Sequence, residues 1–126
     1  MADGGRFTRL VPILRVADLD LEVAFYEALG LRVTYRGSEY PDFIALGDDQ
    51  IEFGIEHSEL FDEDEARRVL TWQLGVRDVD EAAAICVSAG FVHQVETHEP
   101  AVNWRYRTIR LRSPNGYAVH LEGPTE

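Results

Sequence analysis

Leu14-Arg15-Val16-Ala17-Asp18-Leu19-Asp20, running on to Gly30, returns sixty positions later as Leu74-Gly75-Val76-Arg77-Asp78-Val79-Asp80, running on to Gly90. Leu14/Leu74, Val16/Val76, Asp18/Asp78, Asp20/Asp80, Ala24/Ala84 and Gly30/Gly90 all share that offset. Repetition on this scale describes two similar supersecondary units that bury their apolar faces together.

Each copy sits in the same order of elements. In the first, residues 8–16 alternate as a strand in which Pro12 cannot donate to a ladder. Asp18 or Asp20 caps a helix whose stripe is Leu21, Ala24, Phe25, Ala28 and Leu29, and Gly30 ends it. Strands are expected over 31–36, 43–46 and 50–56, with a turn at Gly47-Asp48-Asp49. The second copy offers a strand over 71–76, a cap at Asp78, a helix over 81–89 and strands over 91–96, 104–112 and 117–122. A loop is expected over 98–103 and a hairpin turn at Ser113-Pro114-Asn115-Gly116. The fold class is therefore α+β: two βαβββ modules, over 8–56 and 69–123, joined by an acidic linker over 57–68 within one domain, 1–126. Aligning the last strands at an offset of 68 assigns about eight extra residues to the second module.

A chain of 126 residues holds one real core and not two independent domains. Its formal net charge of −11 disfavours nucleic acid and anionic membrane as partners. It suits a cationic ligand, and serves solubility equally well. The start lacks the apolar segment of a signal peptide and no apolar run would span a bilayer, so a cytoplasmic location is expected. One cysteine, Cys86, allows no internal disulfide and reads as a small buried residue.

Period-two alternation sorts the faces. Ile51, Phe53 and Ile55 should meet the helices, leaving Glu52, Gly54 and Glu56 on the accessible side. Tyr117, Val119 and Leu121 likewise oppose Ala118, His120 and Glu122. Glu52 and His120 are then expected at equivalent positions, facing one another across a cavity. Such a pair serves as ligand contacts, as a structural brace or in proton transfer. Trp104 and Tyr106 share one strand face and Arg105 and Arg107 the other; the aromatic pair is favoured as a wall for a planar ligand. Tyr40 and Phe43 are candidates for its rim. Trp72, Phe25 and Tyr26 read as packing residues, and His57, His93 and His98 as surface or loop residues.

The run Arg15-Val16-Ala17-Asp18 leading into Ala24-Phe25-Tyr26-Glu27-Ala28-Leu29-Gly30-Leu31, with the closing Ser113-Pro114-Asn115-Gly116-Tyr117-Ala118-Val119-His120-Leu121, resembles the vicinal oxygen chelate superfamily. That superfamily unites glyoxalase I, extradiol dioxygenases, fosfomycin resistance enzymes and bleomycin resistance proteins. The resemblance implies a metal-ligand position at Val11, Glu52, Thr71 and His120. Valine cannot bind a metal and threonine is a poor neutral donor, so two donors remain where a catalytic zinc needs three. No metal and no other cofactor is expected.

The closing segment is most similar to the bleomycin resistance proteins, which bind a drug without turning it over. Their Trp-Gly-Arg-Glu stretch is matched in part by Trp104-Arg105-Tyr106-Arg107, without the glycine and the glutamate. That resemblance implies a homodimer with ligand crevices between subunits, the modules paired within one chain or exchanged between two. The expected function is metal-free sequestration of a small, cationic and aromatic natural product, with Glu52, His120, Trp104, Tyr106, Phe43, Tyr40 and Arg107 as ligand contacts and no catalytic residue. The alternative is a metal-dependent glyoxalase-like lyase, isomerase or dioxygenase with an altered ligand set, which would recruit Glu56, Glu122 or His57.

Overall fold

The computed structural model describes residues 5–124. Its elements are β1 (Ile13–Val16), α1 (Leu19–Ala28), β2 (Arg32–Tyr35), β3 (Phe43–Gly47), β4 (Glu52–His57), α2 (Glu63–Val69), β5 (Thr71–Gly75), α3 (Val79–Ala89), β6 (Gln94–Ala101), β7 (Trp104–Arg112) and β8 (Ala118–Pro124). They form two four-stranded mixed sheets, ordered β1-β4-β3-β2 and β5-β8-β7-β6. In each sheet the first strand runs parallel to the last and the others pair antiparallel. The two βαβββ modules are those expected from the repeat.

Local chemistry fixes the module ends. Asp18 Oδ1 accepts from Leu21 N and Asp78 Oδ1 from Glu81 N, so both long helices start on an aspartate cap. Both are closed by glycines with positive φ, 111° at Gly30 and 76° at Gly90, where a Cβ would be strained. Pro12 stays outside β1, yet its carbonyl accepts from Gly54 N. The acidic linker contains α2, capped by Asp62 through Asp64 N and Glu65 N.

Alternation sends Leu14, Val16, Phe53, Ile55, Ile109, Leu111, Val119 and Leu121 into one core with Val23, Phe25, Tyr26, Val79 and Cys86. Phe25 packs on Phe91 of the other module at 4.9 Å between ring centroids, and Phe53 lies edge-on to Trp72 at 5.2 Å.

Register corrects two sequence expectations. Ile13 pairs with Gly54 and its repeat partner Gln73 pairs with His120, so the counterpart of His120 is Gly54. Glu52 corresponds instead to Ala118. The last strands are therefore related by 66 positions, and the second module has gained six residues rather than eight. One of the six lies in the β7–β8 turn and the others around the β6–β7 connection. There the expected loop is an extension of both strands: β6 continues to Ala101 and pairs it with Trp104. His98 stacks on Tyr106 and Glu99 pairs with Arg105 at 2.8 Å, which holds the longer hairpin together.

A polar contact ties the modules. Asn115, in the β7–β8 turn, accepts through Oδ1 from Ala17 N and Asp18 N and donates through Nδ2 to Asp18 O and Glu22 Oε1. Its backbone N–H also donates to Glu22 Oε1, and Tyr26 Oη donates to Glu22 Oε2. Glu22 is fully buried. Burial, then the neighbouring Glu22 carboxylate, push the Tyr26 phenol well above its ordinary value. Tyr117 Oη closes the contact on Arg15 O.

Removing a buried, fully used amide leaves several groups unsatisfied. Asn115→Ala should lower unfolding stability by about 2–4 kcal/mol in urea titrations. Asp49→Ala, in the corresponding turn of the first module, should change it by less than about 0.5 kcal/mol, because that side chain is exposed.

Candidate functional site

A cavity of about 590 Å³ opens between the two modules. Its walls come from the extended segment Arg9–Pro12, Thr34 on β2, the 48–51 turn, Glu52 and Phe53 on β4, and Trp72, Gln73 and Leu74 on β5. Phe53 and Trp72 face the core by alternation, and their edge-on contact supplies an aromatic floor. The Trp72 Nε1–H is buried and has no acceptor among the described residues. A buried N–H without an acceptor costs about 1–3 kcal/mol.

Glu52 stands at the mouth. Its Oε1 accepts from Arg9 Nη1 and its Oε2 from Thr34 Oγ1, both at 2.9 Å. Asp48 in the turn accepts from Gln50 N and Ile51 N, and these two backbone bonds hold its carboxyl below the ordinary value.

The open face of the second sheet carries a separate constellation. Trp104, Tyr106 and His98 form an aromatic row, with ring centroids 5.8 Å apart for Trp104–Tyr106 and 4.8 Å for His98–Tyr106. His120 is half-buried beside Arg110, its register partner, which pairs with Glu96 at 2.6 Å. Burial and then Arg110 lower the His120 pKa below its ordinary value, with Glu96 opposing them.

The sequence-derived candidates thus divide. Glu52 lines the cavity; His120 lies on the other sheet and is not among the cavity's lining residues, so one chain does not bring the two together there. Trp104 and Tyr106 share the His120 face, as alternation requires. Arg107 points the opposite way and pairs with Asp80 of α3 at 2.9 Å; that hydrogen bond holds the Asp80 carboxyl below its ordinary value. Phe43 covers Gly54 on the open face of the first sheet, where any Cβ would meet its ring at 2.5 Å. Tyr40 is exposed in the preceding turn, where its carbonyl accepts from Phe43 N.

Arg9, Thr34 and the 48–51 turn escaped the sequence reading, whereas parity on the first strands had already turned Val11 and Gln73 inward. Trp72 was expected as packing and also serves as cavity wall. Its signal was available: an indole N–H needs a partner, and the strand around it offers few.

The donor set does not fit a divalent metal. Val11 and Thr71 stand at two of the four implied ligand positions, and among the described residues no group of three or more His, Cys, Asp or Glu side chains is placed to share an ion. Glu56, an alternative donor, instead lies 3.7 Å from Arg15.

Sequence comparison matches no family model and no curated protein. Solved structures agree in fold. A glyoxalase/bleomycin resistance protein/dioxygenase from Alicyclobacillus acidocaldarius superposes with a TM-score of 0.74 at 18% identity, covering 94% of this chain and 92% of that one. A bleomycin-binding protein complexed with bleomycin gives 0.67 at 21% identity, over 94% and 100%. A bleomycin resistance determinant encoded on the transposon Tn5 gives 0.65 at 20%, over 95% and 100%. The chain has the glyoxalase/bleomycin resistance/dioxygenase fold.

The His120 environment makes stability pH-dependent. The folded state holds this imidazole less protonated than the unfolded chain, whose value is 6.5. Its contribution is present above that pH and is lost as pH falls through the lower folded value. Proton titration by NMR should place His120 below 6.5, and Arg110→Gln should move it upward by leaving Glu96 unopposed.

Proposed function

We propose that this chain binds and sequesters a small, cationic, aromatic natural product without transforming it, acting as a cytoplasmic homodimer in the manner of a bleomycin resistance protein. The observation that carries the proposal is the Arg9–Glu52 pair at the mouth of an aromatic-floored cavity. The guanidinium is already a cation on that carboxylate, and the Arg9 side chain is 70% exposed. Exposed pairs of this kind contribute about 0–1 kcal/mol. A ligand's ammonium or guanidinium can replace Arg9 at small cost and gain burial against Phe53 and Trp72.

The open faces of both sheets support the dimer. Trp104 and Ile13 are more than half exposed there, and a second copy would cover them and add the aromatic row to the binding crevice. The known fold of the bleomycin-binding complex supports this reading by analogy of architecture only.

Calorimetry of chelator-treated protein with bleomycin, as a cationic glycopeptide, and with planar cationic dyes tests the proposal at low and moderate salt. Saturable binding that weakens with salt and quenches Trp72 fluorescence is expected, with ligand recovered unchanged by mass spectrometry. Glu52→Gln should weaken it about tenfold. Absence of binding by both ligand classes would remove the proposal, as would stoichiometric metal retained through Glu52 and His120.

A further inference from the structure

The two modules treat one equivalent place differently. In the first, the β1–α1 junction is plugged by the β7–β8 turn: Asn115 binds Ala17 N, Asp18 N and Asp18 O, and the buried Glu22 and Tyr26 back it. In the second, the corresponding residues are Arg77, Asp78, Ala82 and Cys86. Two small side chains stand where a carboxylate and a phenol complete the plug. Ile51, at the Tyr117 position, has no hydroxyl to close the gap.

The plug is missing, and a cavity of about 430 Å³ lies there instead. The 48–51 turn bounds it on one side; Arg77, Glu81, Ala82 and Ile85 bound it on the other, with Leu29, Leu31 and Leu74 among its apolar walls. Arg77 lines this cavity and Asp78 follows it in the chain; their backbone N–H groups have no acceptor among the described residues, whereas their counterparts both donate to the Asn115 amide oxygen.

We infer that this cavity is a second ligand site, selective for a neutral primary carboxamide carried on a small apolar body. The chain's own Asn115 shows the recognition chemistry in the sister position. An amide oxygen accepts two adjacent N–H groups, and the amide nitrogen donates back to the carbonyl of the second residue. A carboxylate would ordinarily compete well for two such N–H groups. Here Asp48, Asp49 and Glu81 line the cavity; Arg77 lines it too and Arg32 pairs with Asp49 at 3.0 Å, so one negative charge stays in excess and disfavours an anion. An amine is drawn to the rim but cannot accept from the two N–H groups. The carboxamide alone satisfies both. The cavity is separate from Glu52 and the Trp72 ring, sharing with the first cavity only the 48–51 turn and Leu74.

The test is a two-dimensional NMR titration of the ¹⁵N- and methyl-labelled chain with benzamide, benzoate, benzylamine and N,N-dimethylbenzamide. Benzamide should move the Arg77 and Asp78 amide resonances downfield and shift the Ile85 and Leu31 methyls, saturating in the millimolar range. The Trp72 indole resonance, which reports the first cavity, should stay still. Each of the other three probes should bind at least about tenfold more weakly, because each loses an acceptor, a donor or charge compatibility. Ile85→Trp, at a half-buried position, should fill the cavity and abolish the shifts while the rest of the spectrum is retained. The inference is overturned by unsaturable or absent shifts at Arg77 and Asp78, by equal affinity for all four probes, or by shifts that survive Ile85→Trp. Movement of the Trp72 indole alone would place benzamide in the first cavity and overturn it as well, leaving the sequestration proposal intact.

Discussion

The amide of Asn115 sets the relation between the modules. Apolar burial brings α1, α3 and both sheets into one core, but it is non-directional and tolerates sliding. Five hydrogen bonds at one residue do not. With Oδ1 on two adjacent backbone N–H groups and Nδ2 split between a carbonyl and a buried carboxylate, the β7–β8 turn has one seat on the first module. A network of this kind specifies a unique arrangement only when every member is satisfied, and Tyr26 supplies the remaining donor to Glu22. The start of β8, and with it the direction of His120, follows from where that turn is seated.

Much of this was legible in the chain. The sixty-residue repeat identified the modules, the aspartate caps and the closing glycines, because each is a local requirement expressed within a few residues. Face assignment was legible too, since a period of two needs no knowledge of neighbours. Arg107 illustrates the limit: alternation already placed it opposite Tyr106, but its partner Asp80 is 27 positions away and only the fold brings them together. The Glu52–His120 equivalence failed for a related reason. Matching Ile51-Glu52-Phe53 to Val119-His120-Leu121 by residue type gives one offset, while hydrogen-bonded register gives another. Side-chain alternation fixes only the parity, which both offsets satisfy, and turn length decides between them. The β6–β7 extension was hidden by Pro100 and Asn103, which read as loop residues although strand pairing continues past the proline at the sheet edge.

Duplication explains why both cavities exist. Two modules with the same backbone plan start with the same junctions, and each position can then diverge alone. One β–α junction is closed by a carboxylate, a phenol and an amide; the other carries alanine and cysteine and stays hollow. At the positions where the resemblance implies metal ligands, Val11 and Thr71 offer no good donor, and the Glu52 carboxylate accepts from Arg9 and Thr34. Sequence similarity to a fold therefore carries the scaffold across, whereas each site must be read from its own side chains.

Net charge and local structure act over different distances. At physiological ionic strength the field of eleven excess negative charges decays within a Debye length of about 8 Å, so it concentrates cations near the surface but does not choose among them. Under the proposed sequestration, selection would begin where Arg9 is displaced, since a ligand would need a cation that reaches Glu52 and a body that fits over Phe53 and Trp72. The exposed pair sets a low threshold for exchange, and burial of aromatic area supplies the gain. On that proposal a hydrophilic cation would be attracted but not retained, and a neutral aromatic retained but not attracted. Only a molecule carrying both features would use the whole site, so the acidic balance and the aromatic floor favour the same kind of ligand.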